Sequence, residues 1–159
     1  MDKNKQSFPS EKVTLPSKGL LYSKDSPLSK GYIEMKYMTA REEDILTNQN
    51  LIQKGIVIDE LLKSLIVTEN VDYKDLLVGD KNAIMVAARI LGYGSEYSFT
   101  YNNETQTINL TEIEDKTMDE SLIIDGQNEF SYSLPTSKIE VTFKLLTHGD
   151  EKALENELK

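Results

Sequence analysis

One histidine and its neighbours form the first combination of side chains that could carry chemistry. His148 stands two residues before Asp150, and an imidazole near a carboxylate can act as a general base or a metal ligand. The same stretch, residues 147–150, is also typical of a turn from a strand into a capped helix. The chain contains one His, no Cys and no calcium-loop motif. The sequence therefore favours the turn and predicts neither a metal site nor a cofactor.

A cluster of acidic residues is the second candidate. Glu42, Glu43 and Asp44 could supply a carboxylate pair for hydrolysis, but acidic residues in the first turn of a helix also interact favourably with its dipole. The run 92–94 begins like a dinucleotide-binding fingerprint, yet it lacks the third glycine and follows a predicted helix. No nucleophile-elbow motif occurs. We predict no catalytic residues. A small carboxylate-dependent hydrolase is the alternative, and it would need distant acidic side chains to converge in a pocket.

Aromatic residues provide a third candidate. Tyr93, Tyr97, Phe99 and Tyr101 lie close together and could stack nucleotide bases, but base stacking also needs cations along the nucleic-acid backbone. This segment offers none, and the whole chain has 18 basic against 27 acidic side chains, a net charge of −9. The composition therefore predicts no nucleic-acid partner. The stripe is typical of a half-buried strand face or a protein interface.

Periodicity predicts that helices position the middle of the chain, about residues 39–92. Thr39 and Glu42 have capping-box spacing and predict a helix start, and Gly55 is well placed to end that helix. Asp59 and Asp80 are predicted to cap a second and a third helix, the third extending from Lys81 to Leu91 before Gly92.

Alternating polar and apolar residues predict β-structure on both sides of this helical part. A strand is expected at 31–38, and the β-rich part at about 95–147 contains two hairpins, the first turning at Asn102-Asn103 and the second spanning 129–146. Asp150 is predicted to cap a short last helix, whose apolar stripe is barely begun, so we expect a missing C-terminal extension. The sequence shows no internal repeat.

The first thirty residues are expected to form a flexible, extended N-terminal arm. Pro9, Pro16 and Pro27 interrupt them, and many serines lie between. The fold class is therefore α+β, with residues 31–159 as a single domain of a central helical layer and flanking antiparallel hairpins. No apolar run approaches the roughly 20 residues needed to cross a bilayer, so no membrane association is expected. The arm is too apolar for a mere spacer, and its predicted partner-binding residues are Val13, Leu15, Pro16, Leu20, Leu21 and Tyr22.

Several sequence words together resemble a known family. They are the runs at 13–22 (VTLPSKGLLY), 38–46 (MTAREEDIL), 76–82 (LLVGDKN), 89–94 (RILGYG) and 143–151 (FKLLTHGDE). In this order they resemble the baseplate hub assembly proteins of T4-like contractile-tailed bacteriophages. The resemblance extends over most of residues 13–151.

The resemblance implies a non-catalytic role in building the hub of a phage tail baseplate. The implied partners are other baseplate hub proteins, or further copies of this chain, and the implied location is the host cytoplasm during assembly and the virion baseplate if the protein is retained. A tail-assembly chaperone absent from the mature particle is the alternative. Many family members carry a Cys-x-x-Cys pair at a hairpin tip where this chain has residues 101–104 (YNNE), so a metal-clipped tip is not carried over.

Overall fold

The computed structural model describes residues 9–116 and 119–158 and has an α+β fold, as predicted. The strands pair in three two-stranded sheets, β1 with β2, β3 with β4 and β5 with β6. The helices are α1 (Ala40–Thr47), α2 (Gln49–Gln53), α3 (Val57–Leu65), α4 (Val78–Tyr93) and α5 (His148–Glu157). The strands are β1 (Ser10–Thr14), β2 (Tyr32–Lys36), β3 (Glu96–Tyr101), β4 (Glu104–Asn109), β5 (Phe130–Ser133) and β6 (Glu140–Phe143).

The chain groups into two compact units, each built from separated segments. Unit 1 contains the segment up to Val13 together with Ile33–Thr68 and Ile84–Glu114, and unit 2 contains Thr14–Tyr32, Glu69–Ala83 and the chain from Asp115 onwards. The predicted boundary at residue 30 therefore falls inside unit 2. None of the helices among the described residues is long and apolar enough to cross a bilayer.

Unit 1 has a core made by β2 and two helices. Ile33 and Met35 of β2 are fully buried, as are Leu62 and Leu65 of α3, and Ile84 of α4 is also fully buried. Helix α1 packs on α3, and a β-bridge joins Met35 to the residue that follows α3. Tyr37 continues the alternation of Ile33 and Met35 in the strand predicted at 31–38, but its side chain is 39% exposed. The burial of alternate apolar side chains therefore does not continue beyond the end of β2.

Unit 2 has a second core around the segment that precedes α4. Leu28 and Leu76 are buried, and the N–H of His148 donates to the carbonyl of Leu76 over 2.7 Å. Helix α5 packs on the 3-10 turn at Tyr73–Asp75, where the rings of Tyr73 and His148 lie edge to face at 4.7 Å. His148 is 4% exposed, so it belongs to this core and forms part of the predicted turn.

The expectation of a flexible arm is corrected for residues 9–30; its first eight residues lie outside the described part of the chain. Residues of the arm form β1 and a 3-10 turn at Pro27–Lys30. Two glycines in the left-handed region, Gly19 and Gly31, let two parts of this segment approach each other closely. A Cβ on Gly19 would lie 2.5 Å from the carbonyl oxygen of Ser29, and one on Gly31 would lie 2.6 Å from the carbonyl oxygen of Lys18. The sequence expectation failed because the apolar residues of the arm contribute to the core of unit 2.

Three predicted caps lie inside their helices. Asp59 and Asp80 are in the first turns of α3 and α4, whose starts precede them, and Thr147 is the N-cap of α5 in place of Asp150. A carboxylate stabilises a helix both at the N-cap and in the first turn. The presence of an Asp therefore did not show which of these two positions it occupies. Helix α4 also continues past Gly92 to Tyr93, and Gly94 has the positive φ of 83° that follows its end.

Other predicted features agree more closely with the structure. The helix expected from Thr39 to Gly55 is interrupted at Asn48, whose side chain accepts from the N–H groups of Asn50 and Leu51 and begins α2. Gly55 has the predicted left-handed conformation. Both predicted hairpins are present, and Asn102 and Asn103 have φ values of 50° and 64°, as a tight hairpin turn requires.

Candidate protein-binding surface

The hairpin β3–β4 in unit 1 presents an aromatic face. Tyr97, Phe99 and Tyr101 alternate along β3 and therefore share one side of the ribbon, with Ile108 directly opposite Tyr97 on β4. Their exposed fractions are 42%, 38%, 65% and 41%. The other side carries hydroxyl groups, and those of Ser98 and Thr107 are 2.8 Å apart.

Arg89, near the end of α4, fixes the start of this ribbon. Its guanidinium lies 5.2 Å from the ring centre of Tyr93 and 5.7 Å from that of Tyr97, as in cation–π contacts. The same group donates to the carbonyls of Gly94, at 2.9 Å, and Glu96, at 3.3 Å. The base of the ribbon is thus anchored, whereas Tyr101 at its tip is the most exposed of the three β3 aromatics.

The hairpin β5–β6 in unit 2 repeats this design. Phe130 pairs with Phe143, their ring centres are 5.5 Å apart, and Tyr132 and Val141 pair on the same side. Phe143 and Tyr132 are 51% and 53% exposed. A two-stranded ribbon with an uncovered apolar face is at best marginally stable alone in water. Each hairpin therefore has a surface suited to a protein partner.

Five of the six predicted partner-binding residues lie in unit 2, and they differ in burial. Leu15, Leu21 and Tyr22 are buried in its core, which corrects their predicted placement on an interface, whereas Pro16 and Leu20 are partly exposed. Val13, at the end of the first segment of unit 1, is also partly exposed. Partner binding by this segment stays a prediction. The residues of the six that are exposed enough to contact a partner are Val13, Pro16 and Leu20.

Tyr22 and Ser17 enclose a buried carboxylate. Asp80 is 1% exposed and accepts from the Ser17 N–H at 3.0 Å, the Ser17 hydroxyl at 2.7 Å and the Tyr22 hydroxyl at 2.6 Å. The Tyr22 oxygen also accepts from the N–H of Leu77 at 2.9 Å. Burial and the adjacent Asp80 raise the pKa of Tyr22 far above its usual range. The pattern of neighbouring residues did not reveal this cluster, because Asp80 lies 58 residues from Tyr22 and 63 residues from Ser17 along the chain.

A largely apolar cavity of about 500 Å³ lies beside this cluster. Its lining includes Leu21, Leu77 and Leu146, with Asp80 and Asp115 as its acidic residues. Both Asp80 oxygens accept hydrogen bonds from Ser17 or Tyr22, and these contacts hold the carboxylate in place. In residues 9–116 and 119–158, no three His, Cys, Asp or Glu side chains are grouped so that they could hold a metal ion.

A strand-to-helix junction occurs twice, which corrects the expectation that the chain has no internal repeat. Residues 33–46 (IEMKYMTAREEDIL) and 141–154 (VTFKLLTHGDEKAL) align without gaps, and each contains the end of a strand and the start of a helix. In both, a Lys pairs with the acid six residues later, Lys36 with Glu42 at 2.9 Å and Lys144 with Asp150 at 2.8 Å. The shared sequence pattern, K-x-x-T-x-x-[ED], could have revealed the repeat.

Each junction is preceded by a similar turn. Residues 15–18 read LPSK and residues 134–138 read LPTSK, and both lysines have positive φ, 52° at Lys18 and 58° at Lys138. The N–H of each lysine donates to the carbonyl of the Leu that begins its turn, at 2.8 Å and 2.9 Å. The chain thus uses the same turn and the same junction twice, and the segment between turn and junction differs in length.

The acid in the first junction is far more enclosed than its counterpart. Glu42 is 0% exposed and accepts from Lys36, from the Thr39 N–H and hydroxyl at 3.0 and 2.6 Å, and from the Ser64 hydroxyl at 2.6 Å. Burial disfavours its charge, but the hydrogen bonds from Ser64, Thr39 and Lys36 lower the pKa of Glu42 to about 2.

Asp150 holds the equivalent position with fewer contacts. Its side chain is 28% exposed and accepts from Lys144 and from the N–H and hydroxyl of Thr147. These hydrogen bonds, from Lys144 first, lower the pKa of Asp150 to about 2. Both acids therefore order their helix starts as charged groups.

Comparison with known proteins gives no match: no family model, curated protein or solved structure is similar to this chain.

Proposed function

We propose that this protein is a non-catalytic assembly protein of the baseplate hub of a T4-like contractile-tailed phage, acting by binding other hub proteins. The observation that carries protein binding is the exposed aromatic face of β3–β4. Aromatic side chains are enriched in protein interfaces, and an anchored ribbon can present them with little loss of conformational freedom.

The phage assignment is supported by the positions of the sequence words that resemble the family. The run at 13–22 contains Ser17 and Tyr22, which form the buried cluster of unit 2 with Asp80 of the run at 76–82. Leu15 of the first run is also buried in unit 2. The second and last words, 38–46 and 143–151, coincide with the two strand-to-helix junctions. The words thus correspond to residues on which the local folds depend, as expected if the likeness reflects a shared structure.

The acidic surface supports selective association. The net charge of −9 disfavours broad binding to nucleic acids and keeps molecules of this chain apart at low ionic strength. A hub partner would therefore be expected to offer an apolar surface for the ribbon with basic residues around it.

The test is binding to purified hub proteins of the same phage. Tyr101→Lys places a charge on the aromatic face, and we expect it to weaken binding at least about tenfold with an unchanged thermal melt. Thr100→Lys, on the polar side of the same strand, is the matched control and should bind like the parent. Equal binding by both variants would show that the aromatic face is not the interface.

Mass spectrometry of purified virions separates a retained hub component from a tail-assembly chaperone. We expect the protein in mature particles at a fixed ratio to the hub proteins. Its presence in assembly intermediates alone would favour the chaperone.

A further inference from the structure

The helices that follow the two junctions, α1 and α5, differ in what packs against them. In unit 1, Glu42 and Leu46 are four residues apart and lie on one face of α1. That face meets α3: Ser64 donates to Glu42, and Leu46 lines a small apolar cavity of about 160 Å³ with Leu61 and Leu62 of α3. Helix α3 therefore completes α1 with a hydroxyl donor and leucines.

The equivalent face of α5 is uncovered. Asp150 and Leu154 are four residues apart along it and align with Glu42 and Leu46, and Leu158 follows four residues later at the C-cap of the helix. Leu154 is 47% exposed and Leu158 is 88% exposed. Leu146, which aligns with Met38 of the unit 1 cavity, is 45% exposed. Within residues 9–116 and 119–158, the α5 face therefore lacks the cover that α3 gives to α1.

Helix α5 is held in unit 2 by two other residues of its first turn. The ring of His148 contacts that of Tyr73 edge to face, and Glu151 forms an ion pair with Lys81, whose ammonium also lies 3.3 Å from the His148 Nδ1. These contacts fix the orientation of the helix without using Leu154 or Leu158. The uncovered leucines are thus displayed on an anchored helix.

We propose that the face of α5 formed by Asp150, Leu154 and Leu158 binds an amphipathic helix of a partner protein, which covers it as α3 covers α1. This inference rests on the proposed protein-binding function and assigns a second surface to it. The partner helix would place leucine-type residues against Leu154 and Leu158 and a hydroxyl group near Asp150. Helix α5 contains four acidic residues against one lysine, so the partner helix should carry Lys or Arg beside its apolar face.

The helix that already performs this role in unit 1 provides a probe. It is a fluorescein-labelled, helix-stapled peptide of residues 56–67 with Asp59→Lys and Glu60→Lys, which keeps the leucines and Ser64 of α3 and adds basic residues. Anisotropy with the full chain should show saturable binding, and a scrambled peptide should not bind. Leu154→Lys should weaken binding about tenfold or more, whereas Leu122→Lys, at a position 70% exposed outside α5, should leave it unchanged.

The outcomes separate this inference from the proposed function. Tyr101→Lys should bind the peptide normally even when it fails to bind hub proteins, because it alters a different surface. Absence of peptide binding by the parent, or equal binding by Leu154→Lys, would overturn the α5 surface and leave the ribbon proposal intact. Sedimentation provides a further check: a parent dimer that becomes monomeric on Leu154→Lys would identify a second copy as the occupant and overturn the partner helix.

Discussion

The junctions at Lys36–Glu42 and Lys144–Asp150 use the same bonding pattern in different surroundings. In the first, a glutamate reaches a fully buried position and a third element, α3, supplies Ser64 as an additional donor. In the second, a shorter aspartate remains partly exposed and takes its donors from its own junction. One motif can thus serve as the centre of a core or as the base of an exposed helix. What decides between them is whether a neighbouring element covers the helix.

Replacing the two acids should give the largest difference in unfolding free energy between the junctions. Glu42→Ala leaves the buried Lys36 ammonium without its carboxylate and removes the acceptor of Ser64 and Thr39, which should cost about 3–5 kcal/mol of unfolding free energy. Asp150→Ala should cost clearly less, because water can reach the groups it leaves. Urea unfolding of both variants measures the difference. Equal losses would mean that enclosure by α3 does not distinguish the junctions.

Acid should destabilise the first junction with a defined pH dependence. The pKa of Glu42 is lowered to about 2 from an ordinary value of 4.5, so its contribution is fully present above about pH 4.5 and is lost as pH falls towards 2. Linkage gives this contribution a size of about 3 kcal/mol at neutral pH.

The variant Glu42→Gln isolates that contribution. The difference in unfolding free energy between parent and variant should shrink steadily from pH 5 to pH 2, because the parent carboxylate becomes protonated over this range. A difference independent of pH would show that the Glu42 charge does not stabilise the fold.

Shortening the aligned leucines, Leu46 and Leu154, should produce the smallest difference in stability between the two helices. Leu46→Ala removes contacts with α3 and should cost about 1–2 kcal/mol, because Leu46 is partly buried. Leu154→Ala alters a side chain that is about half exposed and should change stability by less than about 0.5 kcal/mol in the free protein. Thermal melts of the pair suffice. A cost for Leu154→Ala as large as that for Leu46→Ala would mean that α5 is already covered.

The sequence predicted features that depend on neighbouring residues. Alternation identified both hairpins and the aromatic stripe, the Asn102-Asn103 turn was correct, and the Thr39–Glu42 spacing identified the start of α1. In each of these, the residues that determine the structure lie within a few positions of one another. Such patterns require no knowledge of the tertiary fold.

Features that depend on distant contacts were not predicted. Tyr22 and Asp80 meet across 58 residues, so nothing within the first thirty residues indicates that they fold into a core. Burial of Glu42 likewise depends on Ser64, 22 residues away. The repeat was missed because only the junction residues and the Leu-Pro turns are alike, whereas the segments between them differ in length.

Amide hydrogen exchange along α1 and α5 would show whether α3 protects α1 while α5 keeps its face for a partner, with the full chain measured alone and with the purified hub proteins. In the free protein we expect the amides of α1 to exchange much more slowly than those of α5, because α3 covers α1. On binding, exchange in α5 and in β3–β4 should slow while α1 stays unchanged. Equal protection of α1 and α5 in the free protein, or exchange in α5 that hub proteins leave unaffected, would contradict the account.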